Sequence, residues 1–342
     1  MQKFSSNRWG CSLLIAVLLF SGVIVCSTIV SAKTTPIHHI RRIAVVVFAT
    51  PFLRSYEGLR DGLASRGFKL DGDLSFDVYC LEQDISRVNP LMEKLATVDY
   101  DLIFSVTTPV TRAIHTFMLK NKIKTPVVFT AVADPLGSRI VDTLRHPGGN
   151  FTGVSHLSIE LLPQRLLLFK KAFPEMQRVA LIFDPDVEVS KRSLSQGFLR
   201  RAALDIGLKL EIIHVHNHNE MVKKCRDFTA DRADGLFMLP DPLSVAHFGD
   251  LIKLSHRLKI PLMVIDNMLL QRGGVMGYSP DFYGVGVQAA IIVEQIFKGV
   301  SPGDIPVQNA DKVNLVISLK EVKELGITIN DEILLQADEV LR

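Results

Sequence analysis

The sequence predicts an α/β protein of two similar lobes, each a doubly wound parallel sheet. Two observations lead there, and a third permits it. After Arg41, short apolar runs alternate with amphipathic helical stretches, the pattern of a parallel sheet covered on both faces. The same order then begins again about 135 positions further on (Arg178 against Arg42, Asp234 against Asp101, Lys259 against Lys124), as an internal repeat does. With 342 residues, the chain is long enough for two such units.

In the first unit, Arg42 to Phe48 (RIAVVVF) reads as a buried strand. Tyr56 to Arg66 reads as a helix with Leu59 and Leu63 on one face and Gly67 ending it. Phe76 to Leu81, Asp101 to Val106 and Pro126 to Phe129 follow as strands, with helices over Pro90 to Ala96 and Pro109 to Leu119. In the second unit, Arg178 to Phe183 (RVALIF) repeats the first strand. A helix over Arg192 to Ile206 stops at Gly207, and Lys209 to Val215 matches the second strand. Asp234 to Leu239 matches the third, and KIPLMV (Lys259 to Val264) matches KTPVVF (Lys124 to Phe129).

The first 32 residues read as a secretory leader. Lys3 and Arg8 give a basic start, Leu13 to Phe20 and Val23 to Cys26 an apolar core, and Val30-Ser31-Ala32 small residues for cleavage. Loss of Lys3 and Arg8 would take the net charge from +3 to +1, too little to argue for nucleic acid or an anionic membrane. Cys11 and Cys26 leave with the leader, and Cys80 and Cys225, in different halves, read as isolated thiols.

In open parallel sheets, ligands sit at the C-terminal strand ends, where helix N-termini present free N–H groups. Here the first unit offers Thr50, then Thr107 and Thr108 before Pro109, then Thr130 leading to Asp134. The matching ends of the second unit offer Asp184, Asp241 and Asp266. Hydroxyls on one side and carboxylates on the other suit a small zwitterion: threonines and helix amides for a carboxylate, aspartates for an ammonium. Capping alone accounts for Thr108, Asp184 or Asp241 taken singly; taken together, the set reads as a ligand cleft.

Other motifs point elsewhere. His214, His216 and His218 alternate as if on one strand face, a metal-binding spacing. No carboxylate or cysteine set accompanies them in the sequence, so they read as a solvent-exposed strand end, and no metal or cofactor is expected. Gly284 and Gly286 form a lone G-x-G without the strand-to-helix context of a nucleotide site. No G-x-S-x-G elbow, P-loop or H-E-x-x-H occurs, so an enzyme is not indicated.

The run VVFTAVADPLGSRIVDTLRHPGGNFTGVS (Val127 to Ser155) strongly resembles the signature segment of the tryptophan/tyrosine-type ABC transporter substrate-binding family. Gly273 to Gly286, with its Y-x-P-D-F form, and Ile305 to Ile329 look like the same family's last cleft segment and ending. The resemblance implies a type I periplasmic binding fold, a flytrap whose two lobes are joined by three crossings, near Gly153, Gly277 and Ile305. Lobe 1 would comprise 41–153 and 278–305, and lobe 2 154–277 and 306–342. It implies a periplasmic monomer that captures an amino-acid-like solute and delivers it to an ABC permease driven by a separate ATPase. Carried over, the contacts are Thr50, Thr108, Thr130 and Asp134 in lobe 1, and Asp184, Asp241 and Asp266 in lobe 2, with Tyr278 and Asp281 from the returning segment. Where relatives have Asn-Pro or T-D-N-T, this chain has Asp184-Pro185 and Pro240-Asp241-Pro242-Leu243. A flytrap receptor feeding a membrane signalling partner is the alternative; it would carry a fused signalling module, and none follows Arg342.

Overall fold

The computed structural model describes residues 40–342 apart from 71 and 196; the expected leader, with Cys11 and Cys26, lies outside the described residues. The chain runs β1 (Arg41–Val47), α1 (Leu53–Ser65), β2 (Leu74–Cys80), α2 (Val88–Leu95), β3 (Leu102–Val106), α3 (Thr108–Asn121), β4 (Val127–Val132) and β5 (Phe151–Ser155). It continues through α4 (Leu162–Ala172), β6 (Arg178–Phe183), α5 (Glu188–Ser195), α6 (Phe198–Asp205), β7 (Lys209–His214), α7 (His218–Asp227), β8 (Gly235–Phe237), α8 (Pro242–Ala246), α9 (Phe248–Leu258), β9 (Leu262–Val264) and β10 (Met276–Pro280). It closes with α10 (Phe282–Phe297), β11 (Gln308–Asn309), β12 (Val313–Ser318), α11 (Leu319–Leu325), α12 (Asp331–Leu334) and β13 (Glu339–Leu341).

These strands form two sheets, ordered β11-β5-β4-β3-β1-β2 and β13-β12-β10-β9-β8-β6-β7. Each is sandwiched between helices, and the strand sequences show why. Alternate residues of a strand face opposite sides. In β1, Ile43, Val45 and Val47 enter one core with Leu59, Leu63 and Ala289, while Ala44 and Val46 enter another with Met92, Ile114 and Met118. In β6, Val179, Leu181 and Phe183 face Leu166 and Phe169, while Ala180 and Ile182 face Met221 and Leu254. A strand buried on both faces must be apolar throughout, which is what RIAVVV and RVALIF are.

The repeat extends to single hydrogen bonds. Asp101 accepts from the Arg42 N–H and pairs with the Arg41 guanidinium, while its own N–H donates to the Arg42 carbonyl. Asp234 accepts from the Arg178 N–H and pairs with the Arg178 guanidinium, and its N–H donates to the Arg178 carbonyl. Each lobe therefore clamps the start of its first strand with the same aspartate. The helices before Gly67 and Gly207 end in the same way, both glycines at positive φ (91° and 71°), where a Cβ would be strained.

The expected helix over Arg192 to Ile206 is two helices, α5 and α6, interrupted around Gly197 at φ 70°. The chain passes between the sheets at 155–162, 280–282 and 309–313, later than expected at each crossing. Tyr278 and the rest of β10 thus belong to the second sheet, not to lobe 1, and β11 at 308–309 to the first, not to lobe 2. The crossings explain the one antiparallel pair among the described residues, β10 with β12. β10 leaves the second sheet at its C-terminal end, and β12 re-enters from the first lobe along the same edge, so it must run the other way.

Gly284 and Gly286 lie in α10, which packs along α1. A Cβ on Gly286 would stand 2.0 Å from the Ser55 carbonyl oxygen, so the G-x-G serves close helix packing rather than a phosphate. Cys80 and Cys225 are unpaired. No helix of the described residues is long and apolar enough to cross a membrane.

Candidate functional site

The C-terminal edges of the two sheets face one another, and one ion pair demonstrates it. Asp134 follows β4 in the first lobe; Arg192 sits on α5, which follows β6 in the second. The Arg192 guanidinium donates to Asp134 Oδ2. The other Asp134 oxygen accepts from the Gly137 N–H at 2.9 Å, so a buried carboxylate is held at the lip of the first lobe and matched from the second.

On the first-lobe side, Thr107 stands out. It is the residue preceding α3, at φ 87°, a conformation that a β-branched side chain rarely takes. It is 6% exposed, and its hydroxyl has no hydrogen-bond partner. Its backbone is fixed nonetheless: the N–H donates to the Thr130 carbonyl, and its carbonyl accepts from the Thr111 N–H and hydroxyl. Thr107 rather than Thr108 occupies the N-cap position; the Thr108 hydroxyl instead accepts from the Ala133 N–H at 2.9 Å. Thr130 is wholly buried and bonds to Ser55 Oγ of α1 at 2.8 Å. Ala131 follows at φ 56°, where the register of β4 on β5 shifts. Thr50 is exposed in a 3-10 turn over Thr50–Phe52.

On the second-lobe side, most of the aspartates are engaged. Asp241 is completely buried, caps α8 through the Ser244 N–H, and accepts from Ser190 Oγ and the Asp184 N–H. Capping and tying the strand ends accounts for it. Asp281 caps α10 through the Gly284 N–H. Asp266 accepts from the Met268 N–H and pairs with His156 Nε2 at 3.3 Å. Asp184 accepts from the Asp186 N–H, and the Tyr278 side chain packs against the second-lobe core.

Three further residues stand at this edge and at the crossings. His156, just past β5, stacks on Phe282 with rings 5.3 Å apart, and Phe282 meets Phe52 edge-on. His156 Nδ1 is buried without a partner. Arg165 of α4 is fully buried and donates to the carbonyls of Ser158, Ile265 and Tyr278. Burial pushes its pKa down to about 10, against the opposing pull of the Asp266 charge. Sequence reasoning missed Arg192, His156, Phe282 and Arg165. Only Phe282 and His156 had a local signal, being next to a cleft aspartate and just past the T-G-V-S run.

The three histidines separate. His216 lies 3.0 Å from Asp186 and 3.8 Å from Asp184; His218 begins α7, 2.9 Å from Asp250. Carboxylates therefore do accompany His216 and His218, brought from distant segments. Two surface cavities, of about 410 and 370 Å³, lie against α1 and α10 and beside α2; no strand-end candidate lines either.

Two facing lobes on parallel sheets define a two-lobed binding protein of the type I periplasmic fold. The ABC transporter substrate binding protein family matches residues 42–341, and the chain belongs to that family, one of binding proteins rather than enzymes. A tyrosine-binding protein of Clostridioides difficile (strain R20291) is 23% identical over 291 residues, spanning 80% of this chain and 77% of that protein. A conserved domain protein from Vibrio cholerae is 27% identical with a TM-score of 0.74, covering 88% of this chain and 100% of that one. An ABC domain from Streptococcus pneumoniae, solved in complex with L-Trp, is 27% identical with a TM-score of 0.73, covering 89% of this chain and 100% of that one.

Proposed function

We propose that this chain is the capture component of an ABC importer and takes an amino acid, aromatic in preference, between its lobes. The observation that carries this is Thr107. A buried, unpartnered hydroxyl costs about 1–3 kcal/mol, and a strained backbone adds to that. Both sit at the N-terminus of the 14-residue α3, where an anionic group is stabilised. A ligand carboxylate there would satisfy the hydroxyl, with Thr50 and Thr108 at the adjoining ends. The ligand ammonium would go to Asp134, released from Arg192, or to Asp184. Half-buried Phe52, edge-on to Phe282, supplies an apolar wall. Asp241 would act by holding Asp184 and Ser190 in place, and Asp266, Tyr278 and Asp281 by shaping the crossings.

The relatives support the ligand class, since one is a tyrosine-binding protein and another was solved with L-Trp. The family is typically extracytoplasmic, which fits a leader cleaved after Ala32, a periplasmic monomer, and handover to a permease with a separate ATPase. A thermal-shift panel of the twenty amino acids and a set of dipeptides tests the reading. Tryptophan, tyrosine or phenylalanine should raise the midpoint. A panel in which no member moves it removes the amino acid assignment.

A further inference from the structure

The geometry points to a transition-metal site at the N-terminal ends of α7 and α9, formed by His218, His247 and Asp250, that takes a zinc-like dication. The donor atoms of these three residues lie within 4.8 Å of one another. His218 Nε2 and Asp250 Oδ2 are 2.9 Å apart in a hydrogen bond; tetrahedral ligands at about 2.0–2.1 Å from one ion stand about 3.3–3.4 Å apart, so the two need open by only a few tenths of an ångström to share it. The imidazoles of His218 and His247 lie face to face, centroids 3.7 Å apart and planes 6° from parallel. Stacked rings carry their nitrogen lone pairs in parallel planes, so one imidazole must turn about its side-chain bonds before both nitrogens can point at one ion.

The frame is already built. Asn217 caps α7 by accepting from the Glu220 N–H, which fixes His218 as the first helical residue. The two helices share a core of Met221 and Cys225 with Phe248, Leu251 and Leu254, so the ligands are held by packed elements. Two imidazoles with one carboxylate select zinc and its neighbours over magnesium or calcium, and leave a fourth position open. The opposing charges are modest. Lys253 Nζ lies 3.6 Å from Asp250 Oδ1, but that side chain is 82% exposed and free to swing away. The helix N-termini disfavour a cation, and the Asp250 charge counters them.

Two other clusters are weaker on the same criteria. Asp184, Asp186 and His216 offer one imidazole, and Asp186 is 76% exposed. His256, Glu321 and Glu324 also offer one, and Glu324 is shared with Lys320 at 3.8 Å.

Calorimetric titration of the full chain with zinc chloride tests the site. One ion should bind per chain, with affinity reduced about tenfold or more in both His218→Ala and His247→Ala and unchanged in His216→Ala. Asp250→Asn keeps the side-chain shape, so it should weaken zinc binding while leaving the denaturation midpoint in EDTA where it was. Absence of binding, or binding that survives His218→Ala and His247→Ala, overturns the proposal. The amino acid panel is read without metal, so the two results stand or fall separately.

Discussion

Thr107 and Asp241 show two uses of a polar side chain at a strand end. Asp241 has three donors and no exposure, and removing it strands the Ser190 hydroxyl and two backbone N–H groups. We expect Asp241→Ala to cost about 2–4 kcal/mol in urea denaturation and to weaken ligand binding by loosening Asp184 and Ser190 rather than by losing a ligand contact of its own. Thr107 has the opposite profile, since nothing in the protein uses its hydroxyl. Thr107→Val should leave stability unchanged or raise it by up to about 1 kcal/mol, while ligand affinity falls about tenfold or more. Undiminished affinity in Thr107→Val would remove that hydroxyl from the site. Residue type alone marks both positions as polar strand ends; beyond the local Ser244 cap, which one is spent internally depends on partners more than 50 residues away, Asp184 and Ser190. That is why the capping and ligand readings could not be separated in the sequence. Arg192 was illegible for the same reason, because its helix repeats as an ordinary basic surface and only the facing lobe gives the charge a partner.

At the scale of elements, the aspartate clamp under β6 carries a pH prediction. Burial of Asp234 works against its charged form, but the N–H groups of Gln177 and Arg178 and the Arg178 guanidinium outweigh it and hold the carboxyl below its ordinary value. A depressed folded pKa contributes stability that is fully present above the unfolded value, about 3.9, and is lost as pH falls through the folded value. Asp234→Asn should therefore lower stability at neutral pH and flatten the decline below about pH 4. Urea midpoints measured from pH 7 down to pH 3 check this, and parallel curves for the two proteins would count against it. The sequence shows the matching places of Asp101 and Asp234 at the start of matching apolar runs; the bonds that make each a clamp are visible only in the fold. Strands buried on both faces were legible for a related reason: burial forces unbroken apolar runs. The crossings were not. β5, β10 and β11 are five residues or fewer, and which sheet such a strand joins is decided by neighbours rather than by its own pattern. The break at Gly197 was likewise hidden, because the apolar period continues across it.

For the whole molecule, the Arg192–Asp134 pair has a consequence for motion. It joins the two lobes at the open edge of the cleft, with the Asp134 side chain 7% exposed and that of Arg192 25%, so it is desolvated enough to matter more than a surface pair. The crossings at 155–162, 280–282 and 309–313 all lie on the same edge, and a hinge there lets the lobes part while each keeps its own core. A pair made without ligand biases the chain towards the closed arrangement, and a ligand must enter the open one. Arg192→Met removes the charge but keeps much of the packing. Without ligand, it should show a larger radius of gyration than the parent chain in X-ray scattering and bind ligand with a faster on-rate. With ligand saturating, the two proteins should converge on one radius, because closure is then held by the ligand's own contacts with both lobes. Equal radii without ligand would mean that the pair does not hold the lobes together. A lasting difference at saturation would mean that Arg192 belongs to the ligand's grip itself, which fits the carboxylate better at Arg192 than at Thr107.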